Sequence, residues 1–295
     1  MSLLLRIRLN ETMSHHRKSF RLVTCLLAVT LALTTTSCSR RPSTGATVHV
    51  LAAASLCDVL HAMSADMHAA GLDVKGEFGA TGALRREVEH GAPADVIITA
   101  SPGAVRRLLA EKLVTPSSAC VVYRNHLVLV APKDGEVKTL ADLARARRIG
   151  IGDPASVPAG RYGAEALRSL GLFDELRPRL VYGSDVRVVL EWVAQGDVDA
   201  GLMYTTDARV EAARVRVVAT IPDRTHAPIL YGCATIKGCP DPAGAARFLA
   251  VLRSPSAQAI ARNAGFEPIT QPLPPAGPRV TRPSSSARST PSAGG

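Results

Sequence analysis

The feature that most constrains the fold is a repeated junction, at which a run typical of a buried strand leads directly into a run typical of a helix. In TVHVLAAASL, residues 47–54 are typical of a buried strand, and Ser55 stands where a helix N-cap is expected. FGATGAL around Thr81, DPASVPAG around Ala159 and YGSDVRVVL around Val186 repeat this pattern. Strands that alternate with helices predict a parallel sheet covered by helices.

Helix starts of this kind are suited to anion binding. The first turn of a helix has four backbone N–H groups without intrahelical partners, and its dipole favours negative charge. Four such turns that converge on one crevice would form an anion site without any charged side chain. We therefore expect Ser55, Thr81, Ala159 and Val186 to surround a single crevice.

The alternation of strand and helix signals divides the chain into two lobes. Its 295 residues, 46% of them hydrophobic, are enough for two modest α/β domains. Residues 120–132 are typical of a long strand with a polar interruption, as expected for a strand that crosses between lobes, and a strand near 229–238 is expected to return to the first lobe. We assign lobe 1 to residues 47–124 and 221–268, and lobe 2 to residues 125–220.

The net charge of +10 does not indicate a nucleic-acid-binding protein, because nearly all of it lies at the ends of the chain. The excess of Lys and Arg is concentrated in residues 1–41 and 279–288, and residues 42–269 have a net charge of only about +1. Surfaces that bind nucleic acid place their basic residues on the folded domain. We therefore expect no nucleic-acid partner.

The N-terminal residues are typical of an export signal. Three basic residues within 17–21 precede the apolar run LVTCLLAVTLAL, which is too short to span a bilayer comfortably, and small residues follow it. Residues 1–38 are predicted to be a signal peptide and residues 39–46 a polar tether. The sequence TSC resembles a bacterial lipobox, so Cys38 is a candidate lipidation site. Ordinary signal cleavage near Cys38 is the alternative.

Export would permit disulfides among the four cysteines beyond the signal, which are Cys57, Cys120, Cys233 and Cys239. Their spacing matches no zinc site. The first three lie in apolar segments, where buried, unreactive thiols are expected, and a bridge between Cys233 and Cys239 stays open. From Thr270 the composition changes to Pro, Ser, Gly and Arg, so residues 269–295 are predicted to be a disordered tail.

Six short motifs follow one another in a fixed order: AAASL (52–56), FGATGAL (78–84), GAPADVIITA (91–100), IGDPASVPAG (151–160), SDVR (184–187) and GLMYTTDA (201–208). Each is weak alone. Together, across about residues 47–267, they resemble the periplasmic molybdate-binding proteins of ATP-binding-cassette importers. The resemblance implies an α/β, two-lobed periplasmic-binding-protein fold, in which each lobe is a mainly parallel sheet flanked by helices and the ligand lies in the cleft between the lobes.

The resemblance also implies ligand-binding roles for five residues: Ser55, Thr81, Ala159, Val186 and Tyr204. Thr81 stands where the family usually has serine, so its additional methyl group bears on the pocket volume. From its own context, Tyr204 at the end of an apolar strand could instead be a core residue with its hydroxyl bonded internally. Molybdenum is expected only as the bound oxoanion, without direct protein ligands to a cation and without a cofactor.

The chemistry of these residue types suits a fully ionised oxoanion. Molybdate carries no proton at neutral pH, so it needs hydrogen-bond donors and no acceptor, and hydroxyls and amides supply these. Protonated phosphate would need a carboxylate acceptor, for which Asp153 and Asp185 are candidates, although such aspartates more often cap or brace a turn. Arg161 and Arg187 lie in the same motifs, and we interpret them as solvated or structural.

The sequence therefore predicts an exported, non-enzymatic and monomeric solute-binding protein that captures molybdate or tungstate for the membrane permease of an ATP-binding-cassette importer. It would reside in the periplasm or on the outer face of the cell membrane, which it would contact only through a lipid anchor. A sulfate binder is the alternative within this class, and a tethered sensor or buffer of oxoanions is a third interpretation. A secreted hydrolase using Ser55 or Cys57 is disfavoured, because no G-x-S-x-G elbow and no motif-linked histidine and acid occur.

Overall fold

The computed structural model describes residues 46–274. The predicted signal peptide, most of the predicted tether, Cys38 and residues 275–295 lie outside the described residues.

The chain passes through lobe 1, then lobe 2, and then returns to lobe 1. The first passage contains β1 (Ala46–Ala53), α1 (Cys57–Ala62), α2 (Ser64–Ala69), β2 (Leu72–Gly79), α3 (Thr81–Glu89), β3 (Val96–Thr99), α4 (Pro102–Ala110) and β4 (Cys120–Asn125). Lobe 2 contains β5 (Leu127–Pro132), β6 (Ile149–Gly152), α5 (Pro158–Ser169), α6 (Phe173–Leu176), β7 (Leu180–Gly183), α7 (Val186–Gln195), β8 (Ala200–Tyr204), α8 (Thr205–Val210) and β9 (Val215–Thr220). The return adds β10 (Ile229–Thr235), α9 (Pro242–Leu252), α10 (Pro255–Ala264) and β11 (Glu267–Pro272).

Each lobe is built on one mixed sheet, where a mainly parallel sheet was expected. The lobe 1 sheet has the strand order β11-β4-β10-β3-β1-β2, and the lobe 2 sheet has the order β7-β6-β8-β5-β9. The parallel pairs are β1 with β2 and β3, and β6 with β7 and β8, whereas β10 and β5 pair antiparallel with their neighbours. Because helices cover the sheets, the central strands β3 and β8 are buried along their whole length and read as continuous apolar runs.

The long strand expected over residues 120–132 is instead two strands, which belong to different sheets. β4 ends at Asn125 in lobe 1 and β5 begins at Leu127 in lobe 2. Between them, the His126 N–H donates to the Asn125 side-chain oxygen at 2.9 Å. At the crossing, the backbone N–H is thus bonded to a side chain and not to a neighbouring strand. The chain returns to lobe 1 through residues 221–228.

The disordered tail was predicted to start too early. Residues 267–272 form strand β11, which pairs antiparallel with β4 and places Gln271 opposite Val121. Leu273 packs against the core. The proline-rich composition misled the prediction, because an edge strand tolerates proline wherever no ladder N–H is needed. Residues 275–295 lie outside the described residues.

Two close backbone approaches set the geometry of the cleft. A Cβ at Gly160, in the first turn of α5, would lie 1.7 Å from the carbonyl oxygen of Gly152, so only glycine lets this helix start against the end of β6. A Cβ at Gly82, in the first turn of α3, would lie 2.7 Å from the carbonyl oxygen of Ser156 in the other lobe. Within residues 46–274, no helix is long and apolar enough to cross a membrane.

Candidate functional site

The five predicted ligand residues line one cavity between the lobes, together with neighbours such as Ala53, Gly79 and Pro158. The cavity lies at the carboxyl ends of β1, β2 and β8, which is where α/β sheets usually bind ligands. Its volume is about 10 Å³, measured as the space open to the centre of a water molecule. This is room for about one water. In this conformation the cavity is too small for a sugar or an amino acid.

Ser55 is buried at the edge of the cavity, but it does not cap a helix as expected. It lies inside a single 3₁₀ turn, Ala54–Leu56, whose N-cap position is Ala53 and has no side-chain cap. The Ser55 hydroxyl instead lies 2.7 Å from the hydroxyl of Tyr231. The N-cap prediction was wrong because the turn that follows β1 has its N-cap position at Ala53, two residues before Ser55.

A chain of hydrogen bonds links the Ser55 hydroxyl to Tyr231 and Asn125. The Asn125 amide nitrogen is only a donor, and it lies 3.4 Å from the Tyr231 oxygen. Tyr231 thus accepts from Asn125 and can donate its own proton to Ser55. The Ser55 proton is then free to point into the cavity. Sequence reasoning missed both Asn125 and Tyr231, since they lie in apolar strand runs distant from the six motifs, and their only signal is a polar group within such a run.

Thr81 is likewise arranged as a donor. It is the first residue of α3 and is buried. Its hydroxyl oxygen accepts a hydrogen bond from the Ala100 backbone N–H at 3.0 Å. Because that oxygen already accepts one bond from the protein, its proton is available to a group in the cavity.

Two helix starts from lobe 2 bring backbone amides to the same cavity. Val186 is the first residue of α7, and Ala159 is the second residue of α5, after a proline that has no N–H. Among the described residues, the amides of Thr81, Ala159 and Val186 have no hydrogen-bond acceptor. These free N–H groups, at the positive ends of helices, are suited to a negative charge.

The two aspartates near the cavity are occupied by the backbone, as expected for turn-bracing residues. The Asp185 carboxylate caps α7 by accepting from the amides of Arg187 at 2.7 Å and Val188 at 3.1 Å. The Asp153 carboxylate accepts from the Ala155 amide at 3.0 Å and from the Ser156 hydroxyl at 2.9 Å. The structural interpretation of both residues is confirmed.

Tyr204 contributes the most informative group of the site. It is only 1% exposed, and its hydroxyl has no hydrogen-bond partner among the described residues, so the alternative of an internally bonded core residue is wrong. Burial raises the pKa of Tyr204 well above its ordinary value, so its hydroxyl stays protonated and can donate. A buried donor without an acceptor costs free energy. Because Tyr204 lines the cavity, its hydroxyl can donate a hydrogen bond to an acceptor that is bound there.

The arginines of the motifs belong to the scaffold around the cavity. Arg187 lies 3.0 Å from the buried carboxylate of Asp207 and 2.5 Å from that of Asp58. Arg161 donates to the Ser101 hydroxyl at 3.1 Å. The structural interpretation of both arginines is confirmed. Within residues 46–274 no cluster of His, Cys, Asp and Glu could hold a metal cation.

Several of these contacts join the two lobes, so the cleft is closed in this structure. The Gly82 N–H of lobe 1 donates to the Ser156 carbonyl of lobe 2 at 3.0 Å. Arg187 of lobe 2 reaches Asp58 of lobe 1. The donors described above therefore surround the cavity from both sides, as required to enclose an ion completely.

Comparison with known proteins agrees with this geometry. The family model for bacterial extracellular solute-binding proteins matches residues 48–267. The molybdate-binding protein ModA of Haemophilus influenzae is 36% identical over 233 residues, which are 75% of this chain and 90% of the relative. The putative ABC transporter substrate-binding lipoprotein YvgL of Bacillus subtilis is 33% identical over 250 residues, which are 82% of this chain and 96% of the relative.

A solved structure gives the same result. The substrate binding domain of a putative molybdenum ABC transporter from Clostridium difficile is similar with a TM-score of 0.61 at 32% identity, covering 76% of this chain and 99% of that chain. The family match extends over nearly all of the described residues. The chain belongs to the bacterial extracellular solute-binding proteins.

Proposed function

We propose that this protein captures molybdate, or the similar tungstate, in the cleft between its lobes for import by an ATP-binding-cassette transporter. The observation that carries the proposal is the buried, unpartnered hydroxyl of Tyr204, which lines the same small cavity as Ser55, Thr81 and the free amides of Ala159 and Val186. All of these groups donate hydrogen bonds. A tetrahedral dianion without a proton accepts from every direction and needs nothing else.

The relatives support the choice of ligand and of partner. The Haemophilus relative is a molybdate-binding protein, and the Bacillus relative is described as a transporter substrate-binding lipoprotein. A chain of this kind would bind as a monomer, close its lobes over the ion and present them to a membrane permease.

The test is a ligand panel on the purified protein. Molybdate and tungstate should raise the melting temperature at micromolar concentration, because a ligand that binds only the folded state stabilises it by mass action. Phosphate should have less effect, because the donors that line the cavity suit a fully ionised ion and the Asp153 and Asp185 carboxylates already accept hydrogen bonds from the protein. Sulfate is fully ionised like molybdate but smaller, so its effect shows whether the cavity selects ions by size. Equal stabilisation by phosphate and molybdate would contradict the proposal.

The position of Cys38 before a polar tether motivates a membrane anchor for the mature protein. Lipidated at Cys38, the wild-type protein should partition with membranes, and the Cys38→Ala variant should be released or remain unprocessed. A single acyl chain anchors weakly, so stable retention requires several chains. Intact-mass analysis of the mature protein decides between a lipid-bearing N-terminus at Cys38 and an unmodified one, which would mean a freely diffusing protein.

A further inference from the structure

Two cysteines face each other across neighbouring strands of lobe 1, and neither of them lines the cleft cavity. Cys120 is the first residue of β4, and the antiparallel register places it directly opposite Cys233 of β10. Their sulfur atoms are 3.2 Å apart. Cys239, which the sequence offered as a partner for Cys233, lies instead beside Asp95 and Asp241. The structure thus brings together a different pair of thiols from the one considered in the sequence.

The surroundings of this pair favour a thiolate on Cys120. The Arg253 guanidinium donates to the Cys120 sulfur at 2.9 Å. The hydrogen bond with Cys233, followed by that from Arg253, lowers the pKa of Cys120, whereas the same contact raises the pKa of Cys233. Because the Arg253 contact stabilises a negative charge on Cys120, Cys233 is placed to donate to it. A thiolate in contact with a second thiol is the arrangement from which disulfides form.

We propose that Cys120 and Cys233 form a disulfide in the exported protein. Directly opposed residues of an antiparallel pair have Cα atoms about 4.5–5.5 Å apart, within the range that a disulfide spans. The sulfur atoms need to approach by only about 1 Å to reach the bonding distance of about 2.0 Å. The bond thus forms with little movement of the two strands.

The oxidant is a disulfide compound, such as glutathione disulfide or an oxidised dithiol protein. The Cys120 thiolate attacks one sulfur of this compound, forms a mixed disulfide and releases one thiolate. Cys233 then loses its proton and attacks the Cys120 sulfur, which releases the second thiolate. Starting from the Cys120 thiolate and the Cys233 thiol, the pair loses one proton and two electrons, and the oxidant is reduced to two thiolates, one of which takes up that proton.

The position of the bond determines its effect. Between Cys120 and Cys233 lie 112 residues, which include every strand of lobe 2. Closing such a long loop restricts the unfolded chain strongly. The bond lies within the lobe 1 sheet and crosses no interlobe contact, so it stabilises the fold without preventing the lobes from opening.

The experiment is a comparison of the purified protein after equilibration with glutathione disulfide or with reduced glutathione. Each sample is denatured, alkylated and mapped by peptide mass spectrometry. After oxidation, the peptides of Cys120 and Cys233 should be joined, while Cys57 and Cys239 are alkylated. The melting temperature should be about 10 °C higher than in the reduced sample.

Matched variants separate this bond from other oxidation. Cys120→Ser and Cys233→Ser should both abolish the difference in melting temperature between the two samples, and Cys239→Ser should preserve it. Should a serine variant fail to fold, the peptide map of the wild-type protein still decides. Alkylation of both Cys120 and Cys233 after oxidation, or a link from either to Cys239, would overturn the proposal.

Discussion

The two lobes differ in how their donors are held. Lobe 1 contributes the Thr81 amide and the hydroxyls of Ser55 and Thr81, and each hydroxyl has a hydrogen-bond partner in the same lobe, Tyr231 or Ala100. Lobe 2 contributes helix-start amides and the hydroxyl of Tyr204, which has no partner among the described residues.

This difference suggests an order of events. The lobe 1 donors are set before the cleft closes, because none of their orienting bonds crosses between the lobes. The lobe 2 donors have an acceptor only when an ion lies against lobe 1. We therefore expect the ion to bind first to lobe 1, after which lobe 2 closes over it.

The largest expected effect comes from blocking closure itself. In the Gly82→Ala variant the new methyl group would lie 2.7 Å from the Ser156 carbonyl oxygen of the opposite lobe. Backbone atoms in a packed contact cannot give way by that much, so the closed state is disfavoured and affinity for molybdate should fall about 100-fold. Isothermal titration calorimetry measures this loss.

A matched control exists at the same position of the next helix. Gly103 is the second residue of α4, as Gly82 is of α3, and the nearest atom to its added Cβ is the Ser101 hydroxyl at 3.3 Å. Gly103→Ala should leave the affinity nearly unchanged. If both variants bind equally well, the contact at Ser156 does not control closure.

Single donors should matter less than closure, and the two lobes should differ in kinetics. A hydrogen bond to a charged group is worth roughly 1.5–3 kcal/mol, so Ser55→Ala and Tyr204→Phe should each weaken binding about ten-fold or more. Ser55→Ala should slow association, because it removes a donor from the lobe that binds first. Tyr204→Phe should mainly speed dissociation, which stopped-flow measurements can separate.

Tyr204→Phe has a second consequence that tests the same contrast. Removing a buried hydroxyl without a partner should raise the melting temperature of the ligand-free protein while lowering that of the ligand-bound protein. Tyr123 is the control, since its hydroxyl is also buried and unpartnered among the described residues but does not line the cavity. Unchanged affinity in both Ser55→Ala and Tyr204→Phe would assign these residues to the scaffold.

The sequence predicted the cleft residues well, for a physical reason. Each belongs to a local motif in which a strand ends and a turn or helix begins, and the carboxyl ends of neighbouring parallel strands meet at one edge of a sheet. The junctions and the resemblance to a known family therefore predicted one shared site for five residues, and these line a single cavity in the structure: Ser55, Thr81, Ala159, Val186 and Tyr204.

The residues that sequence reasoning missed depend on long-range register. Tyr231 reaches Ser55 across 176 positions, because β10 returns from the far end of the chain to pair with β3 and β4. Cys233 faces Cys120 only because the register of β10 shifts between Tyr231 and Gly232. Such irregularities leave no periodic signal in the sequence.

Tyr231→Phe should have an intermediate effect, because Tyr231 orients a donor without lining the cavity. Without its hydroxyl, Ser55 loses the partner that directs its proton, and affinity should fall about three- to ten-fold. The loss should be absent in a Ser55→Ala background, where there is no proton to direct, so a double-mutant cycle is non-additive. Additive losses would show that Tyr231 acts independently of Ser55.

The stability of the protein should depend on pH through Asp207, a buried residue of lobe 2. Burial raises the pKa of Asp207 to about 6, although Arg187 opposes the shift. The folded state thus binds this proton more tightly than the unfolded chain does. The resulting stability is fully present below the ordinary aspartate pKa of 3.8 and is lost as the pH rises through about 6.

Asp207→Asn cannot titrate and so isolates this contribution. Between pH 4 and pH 7, the free energy of unfolding of the wild type should fall relative to that of the variant by on the order of 2 kcal/mol. Urea unfolding at several pH values measures the difference. A constant difference across this range would show that Asp207 is ionised throughout.

The smallest effect is expected from Thr81→Ser, which removes only a methyl group. Thr81→Ser keeps both the hydroxyl and its bond from the Ala100 amide, so the affinity for molybdate should change by no more than about three-fold. The variant removes one methyl group from the wall of a small cavity, and the added space should favour molybdate over the smaller sulfate. Competition calorimetry with both ions measures this ratio. A ten-fold or greater loss of affinity would show that the Thr81 methyl group, and not only its hydroxyl, contributes to binding of the ion.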